Sequence, residues 1–371
     1  MKVVHIEAGK HLYGGALQVV FLLRELSRVA GDEHLLVCTR GAAIAAAVRA
    51  LGVRVIELPL GGDTDLGMPW RLFAVLRRER PDLVHLHSRR GADLWGALAA
   101  RLAGVPVLLS RRVDNPEARP WVALKYRLYD RVVTISQGIR RVLLAEGVPA
   151  AKVVCVPSAV DTGRYRPAAD APAARAALRA EFALPDDALV VGMAAQFIAR
   201  KGHQTLLDAL PAVLAAQPRV RFLLFGRGPL QAGIAADIER RGLGQTVQLP
   251  GFRDDLERLL PGLDLLVHPA AMEGLGVALL QAAACALPIV AGRAGGIPEI
   301  VHDGENGYLH TPGDVPTLAR QLITLLADAG LRARFGAAGR AIVEREFSIA
   351  AMVAGNRRVY GELLAAKSST R

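Results

Sequence analysis

Three observations predict an α/β protein made of two doubly wound parallel sheets. Short apolar strand patterns alternate with helical ones. The alternation halts at a Pro- and Ala-rich seam and then restarts. The 371 residues are enough for two separate cores. In the first half, strand patterns fall at residues 3–8, 34–39, 54–59, 83–88, 105–110, 131–136 and 152–157. Helical patterns fill the gaps, as at residues 16–30, 69–80 and 93–103. Near-continuous apolar strands imply a sheet covered on both faces.

The seam, residues 166–187, reads RPAADAPAARAALRAEFALPDD. Strand patterns resume at 188–194, 220–226, 247–251, 263–269 and 288–292. The expected domains are therefore residues 1–165 and 166–348, followed by a terminal helix within 349–371 that packs back toward the first domain. Ligands of such sheets bind outside the carboxyl ends of the strands, so the crevice between the domains is the expected site.

Composition excludes several classes. A positive mean hydropathy with 22% charged residues excludes a disordered chain. Cys38, Cys155 and Cys285 are too few and too scattered for a disulfide scaffold or a cysteine zinc site. The most apolar stretch, 259–291, is interrupted by Asp264, His268, Glu273 and Gln281, so no span is expected. The N-terminus enters a strand pattern directly, without signal-peptide character, which predicts a cytoplasmic protein. Of the net charge of +11, residues 1–165 carry +9. That half is expected to meet something anionic, with peripheral contact at the inner face of a membrane as one form of it; general solubility is the plainer reading. Nucleic acid is not expected, because the basic residues are not interleaved with aromatics, which make up 5% of the chain.

Three constellations carry chemistry. Gly14 and Gly15 follow the first strand and open a helix, either as a close approach to a phosphate or as a simple tight turn. They form neither a G-x-G-x-x-G fingerprint nor a G-x-x-x-x-G-K-[ST] loop. Arg200 and Lys201 precede a helix at residues 205–216. Two cations at a helix N-terminus oppose its dipole unless an anion sits there; a solvated charge pair is the alternative. The third run, residues 268–307, places Glu273 before Gly274, Leu275, Gly276 and Val277, which open a helix reaching about residue 286. Gln281 lies on the face of Glu273, slightly over two turns on. This layout suits a sugar at Glu273, a pyrophosphate on the helix N-terminus and a ribose at Gln281. An acidic first turn and a polar residue facing a neighbour would leave the same pattern.

The third run resembles the E-x7-E signature of family-4 retaining glycosyltransferases of GT-B fold. GGALQVV (14–20), DLVHLHS (82–88), VVTISQGIRRVL (132–143), VPSAVDTGRYRP (156–167), ARKGH (199–203), LLFGRGPL (223–230) and GFRDDLERLL (251–260) extend the likeness over nearly the whole chain. The resemblance implies two Rossmann-like domains facing a cleft. Glu273, Lys201 and Arg200 are then catalytic. Gly14, Gly15, Gly226, Phe252, Gly274–Val277 and Gln281 bind the donor, with base contacts near Gly251 and Phe252. It also implies a nucleotide-sugar donor, retention at the anomeric carbon, and neither metal nor other cofactor. The acceptor meets the first domain. An anionic saccharide or lipid-linked acceptor, as in lipopolysaccharide-core transferases, fits its charge.

The chain departs from the family pattern at three places. Gln281 replaces the second Glu and weakens ribose binding by on the order of 1 kcal/mol. Gln196 stands where an Arg is common, with Arg200 able to take over. Arg111 and Arg112 occupy the region of a frequent His, and with His85 are the expected acceptor-side residues. A nucleotide-sugar epimerase of the same architecture and a catalytically silent nucleotide-binding relative remain the competing readings.

Overall fold

The structure, a computed structural model, describes every residue except Tyr13, Arg90 and residues 369–371, together with the side chain of Ser368. The last three residues of the expected terminal segment therefore lie outside the described residues. Two compact units are present: residues 1–159 with the helix Ile349–Ser368, and Val160–Ser348.

The first unit contains seven parallel strands: β1 (Lys2–Glu7), β2 (Glu33–Thr39), β3 (Arg54–Leu58), β4 (Leu83–Leu86), β5 (Val107–Arg111), β6 (Arg131–Thr134) and β7 (Val153–Cys155). Their order is β3-β2-β1-β4-β5-β6-β7. The second unit contains six: β8 (Val190–Ala194), β9 (Arg221–Phe225), β10 (Val247–Gly251), β11 (Leu265–His268), β12 (Ile289–Gly292) and β13 (Gly307–His310), in the order β10-β9-β8-β11-β12-β13. Each sheet reverses its winding once, between β1 and β4 and between β8 and β11.

The strands are buried on both faces because helices cover both. Val4, Ile6, Val37, Val84 and Leu86 pack toward one layer of the first unit, and Val3, Leu83 and Leu108 toward the other. The buried positions of the last helix, Ile349, Met352, Val353, Asn356, Val359, Tyr360 and Leu363, follow a three- and four-residue spacing, and the apolar ones pack with Leu22 and Leu26 against that second face.

The division between units falls at 159/160, six residues before the expected boundary, because Val160 donates its N–H to Phe347 O (2.9 Å) and bridges Ser348. Arg340 also ties this segment to the second unit, donating to the carbonyls of Thr162 and Tyr165. Strand β13 has no counterpart in the sequence reading. Its four residues begin with a glycine and sit among turn formers, so no alternation shows.

Candidate active site

The chain leaves β8 and β11 in opposite directions, and the crevice this opens at their carboxyl ends holds the key side chains. After β8 comes the turn Ala199–Lys201, then Gly202 and the helix His203–Ala216. After β11, residues 269–276 lead to the helix Val277–Ala284. These connections are stitched together by their backbones. Ala271 donates its N–H to Arg200 O (2.9 Å), and Gly296 donates to Glu273 O (3.1 Å). A Cβ on Gly202 would lie 2.1 Å from the Pro269 carbonyl oxygen, and one on Gly295 only 1.8 Å from that of Glu273; both glycines have positive φ. Glycine is required here by contact as well as by conformation. The R-K-G, E-G-L-G and G-G-I-P-E runs, distant in sequence, are therefore parts of one packed assembly.

Lys201 Nζ donates to Glu273 Oε2 at 2.5 Å, and His268 Nε2 lies 3.0 Å from the same oxygen. Burial alone would raise the Glu273 carboxyl. The hydrogen bond and charge of His268, then those of Lys201, outweigh it and hold the group down to about 2. Glu273 is thus ionised, with both contacts on Oε2. Lys201 and His268 are buried, as is His203, whose ring packs edge-on to Phe197 at 4.8 Å. Burial, reinforced by His268 and Lys201, pulls His203 down to about 4, so it is neutral near pH 7. His268 and His203 were not singled out from the sequence as site residues. The available signal was position: one ends β11, the other opens the helix after Gly202.

Gly276, at φ 105°, precedes the helix Val277–Ala284, whose N-terminus has no side-chain cap. Its first N–H groups are the orphan donors that suit an anion. Leu275 is buried and Gly274 half-buried. Gln281, also half-buried, has its side chain near the Tyr165 hydroxyl. Arg200 is exposed beside buried Lys201. Gly226 and Phe252 follow the adjacent strands β9 and β10. Gly226 donates its N–H to Gly251 O (2.8 Å), and the exposed Phe252 ring lies 4.9 Å from the Arg227 guanidinium carbon. All these residues sit at the carboxyl edge of the second sheet.

Gly14, Gly15, Arg111 and Arg112 belong to the first unit. Gly14 opens the helix Gly14–Leu26. A cavity of about 250 Å³ lies at the β1/β4 reversal, and its lining includes Glu7, Gly15, His87, Ser88, Arg111 and Arg112. A Cβ on Gly15 would be 3.4 Å from Arg112 Cδ, so the glycine leaves room for that side chain. Buried Arg111 faces Glu117 at 3.2 Å.

His85 corrects the acceptor-side expectation. It is fully buried two residues back from His87, its nitrogens 2.7 Å from the Tyr360 hydroxyl and 2.8 Å from Ser110 Oγ. His87, not His85, lines the cavity. His5, His85 and His87 bring potential ligand nitrogens within 4.8 Å of one another. Both His5 nitrogens are already engaged, by His87 (2.9 Å) and His34 (3.2 Å), as are both of His85. The group is a hydrogen-bonded array, and burial holds all three imidazoles well below their ordinary range.

Two family models match in tandem: Glycosyltransferase Family 4 over residues 13–164 and Glycosyl transferases group 1 over residues 174–342. Among curated proteins, the sulfoquinovosyl transferase SQD2 of Arabidopsis thaliana is 29% identical over 87% of this chain and 65% of its own length, so this chain spans less than two thirds of that relative. The 2-deoxystreptamine glucosyltransferase of Streptomyces kanamyceticus is 30% identical over 81% and 85%. The lipopolysaccharide core biosynthesis glycosyltransferase LpsE of Rhizobium meliloti is 28% identical over 99% and 100%. Among solved structures, Anabaena HepE in complex with UDP superposes with a TM-score of 0.86 at 22% identity, covering 98% of this chain and 100% of that one. The twin parallel sheets, the packing of the R-K-G and E-G-L-G runs and these tandem matches place the chain among the family-4 glycosyltransferases of GT-B fold.

Proposed function

We propose that the chain moves a sugar from a nucleoside-diphosphate donor to an anionic saccharide or lipid-linked acceptor of the cell envelope, with retention and without a metal. The observation that carries this is the buried Lys201–Glu273–His268 group beside an uncapped helix N-terminus. Glu273 Oε1 accepts from the donor sugar's hydroxyls while Oε2 is held by Lys201 and His268. As the anomeric C–O bond breaks, negative charge grows on the leaving phosphate. Lys201, Arg200 and the N–H groups of Gly276 and Val277 stabilise that charge. The acceptor oxygen bonds to the anomeric carbon on the face the phosphate leaves, and its proton passes to a phosphate oxygen. No protein base is required. Cations and helix dipole take the part a divalent ion would play.

The full-length likeness to LpsE and the charge of residues 1–165 support a lipopolysaccharide-core-like acceptor, in the cytoplasm at the inner face of the membrane. Among the described residues no helix is long and apolar enough to cross a membrane. The relatives act on chemically diverse substrates by name, so donor and acceptor are settled by assay.

The test is thermal stabilisation by UDP, GDP, ADP and CMP, with and without EDTA. A ligand at 100 times its dissociation constant adds about 2.7 kcal/mol of stability. One diphosphate is expected to raise the melting temperature equally with and without EDTA. A shift abolished by EDTA would overturn metal independence, and no shift with any nucleotide would favour the silent-relative reading.

A further inference from the structure

We propose that one outer helix layer of the first unit is a docking face, at which Trp70 and Trp121 with Leu66 and Leu124 insert into the interface of an anionic lipid bilayer. This turns the peripheral contact proposed above from charge alone into apolar insertion at named residues, and rests on that contact.

Four observations carry it. First, the chain has three tryptophans, and each stands in the first turn of one of three successive helices: Trp70 in Met68–Glu79, Trp95 in Ala92–Leu102 and Trp121 in Arg119–Lys125. The helices follow β3, β4 and β5, so their N-termini stand toward the carboxyl edge of the first sheet. They cover the same face, since Leu72, Val75, Ala97, Ala100 and Val122 pack into one core cluster. The first helix runs along the second. Trp95 Nε1 donates to Asp63 O, just before the first helix (3.0 Å), and Arg101 Nε donates to Leu128 O, just after the third (2.9 Å). The tryptophans therefore form a row on one surface.

Second, the outward positions of this surface are large, apolar and uncovered. Leu66 is 72% exposed, Trp70 64%, Leu124 62% and Trp121 41%. Leu94, Trp95 and Leu98 continue it, half-buried, on the middle helix. Among the described residues no hydrogen bond or ring contact engages the Trp70 or Trp121 indole. Exposed apolar side chains are ordinary one at a time, whereas a contiguous run of large ones marks an interaction site.

Third, the charge around these side chains has one sign. Residues 66–78, 94–102 and 118–128 hold seven basic residues and no acid. Exposed Arg77 lies about two turns beyond Trp70 on the same helix face. Exposed Arg119 and Arg127 flank Trp121 and Leu124. Among the described residues none of these three arginines pairs with a carboxylate. The acids at the margin are mostly taken: Asp65 by Arg71, Glu79 by Arg54 and Arg78, and Asp130 by Arg101, with exposed Asp63 the exception. A cationic apolar surface complements anionic headgroups and repels a second copy of itself.

Fourth, the residue type fits this partner. An indole is a large, rigid, apolar ring with one N–H donor, and for that reason tryptophan concentrates at headgroup depth. No tryptophan is fully buried in either core. Docked on this face, the chain holds the carboxyl edge of its first sheet near the headgroups, where a lipid-linked acceptor presents its saccharide.

The full chain is sedimented with vesicles of phosphatidylcholine, alone or mixed with phosphatidylglycerol, at low salt and at about 0.5 M salt, where attraction between charges is screened within a few ångströms. Binding to the mixed vesicles is expected, weakened by salt and not abolished. Tryptophan emission should move to shorter wavelength on binding and be quenched by lipid brominated near the headgroup end of its acyl chains. Trp70→Ser combined with Leu124→Ser should weaken vesicle binding at least about tenfold at an unchanged melting temperature, because both side chains are exposed in the folded chain. Quenching of the unmodified chain reads the same insertion without any variant.

No binding to either vesicle would overturn insertion and peripheral contact together. Binding that high salt abolishes, without quenching and without an effect of the double substitution, would leave the charge contact standing and overturn insertion. A dimer in the absence of lipid, split into monomers by the double substitution, would give the face to a second copy and overturn the proposal as well. The melting shift with nucleoside diphosphate should be the same in the variant and the unmodified chain, so the transferase reading is judged separately.

Discussion

Glu273 accepts from Lys201 and His268 on one oxygen, an arrangement that ties the proposed site's chemistry to its stability. Its carboxyl is held at about 2, below the unfolded value near 4.5. A carboxyl depressed in the folded state stabilises above its unfolded pKa, and that contribution fades as the pH falls through the folded one. The contribution is on the order of 3 kcal/mol at neutral pH. Urea unfolding of the wild type and Glu273→Gln should therefore differ most above about pH 4.5 and converge toward pH 2; a gap independent of pH would refute the assignment. Glu273→Ala is expected to lower transfer at least about a hundredfold, read as initial rate with the protein still folded. Gln281→Glu should tighten donor binding several-fold if that side chain meets the ribose, since a carboxylate accepts from both hydroxyls with charge assistance. Unchanged affinity would mean that its place beside Tyr165 is its whole role.

At the scale of elements, glycine contacts hold three connections in register. Gly295→Ala would press a Cβ into the Glu273 carbonyl at positive φ. It should cost more than about 2 kcal/mol and weaken diphosphate binding, although residue 295 is remote from Glu273 in sequence. Gly313→Ala, also at positive φ but with nothing within 4 Å of the added atom, should cost only about 1 kcal/mol and leave binding intact. Melting and calorimetry of the two variants separate contact from conformation. The Glu273 run was legible because a glycine-flanked acid opening a helix is a local pattern. The roles of His268 and Gly295 were not, because each depends on a neighbour brought in by sheet order. Arg111 and Arg112 were legible as a charged pair after β5. Only the register of β4 and β5 shows that His87 joins them while His85 stays inside.

At the scale of the whole molecule, burial of histidines dominates the response to acid. His34 and His203 are each held at about 4, and His5, His85 and His87 well below 6.5. A histidine depressed in the folded state is neutral there and protonates first in the unfolded chain. Stability should therefore fall as the pH drops from about 6.5 toward 4, before the carboxylates titrate. Urea midpoints at pH 7, 6 and 5 should decline in that order, and a flat profile would contradict the burial of this array.

By itself, the sequence determined the two doubly wound sheets and a seam between them, and the Lys201 and Glu273 runs as separate motifs that the family resemblance grouped. Apolar periodicity, turn chemistry and glycine spacing are local and survive in one dimension. Tertiary structure alone decided that the break between the units falls at 159/160, that His268 shares a carboxylate oxygen with Lys201, and that His85 is core. Each of these depends on which strands become neighbours, and parallel pairing joins segments whose separation along the chain leaves no mark in the sequence.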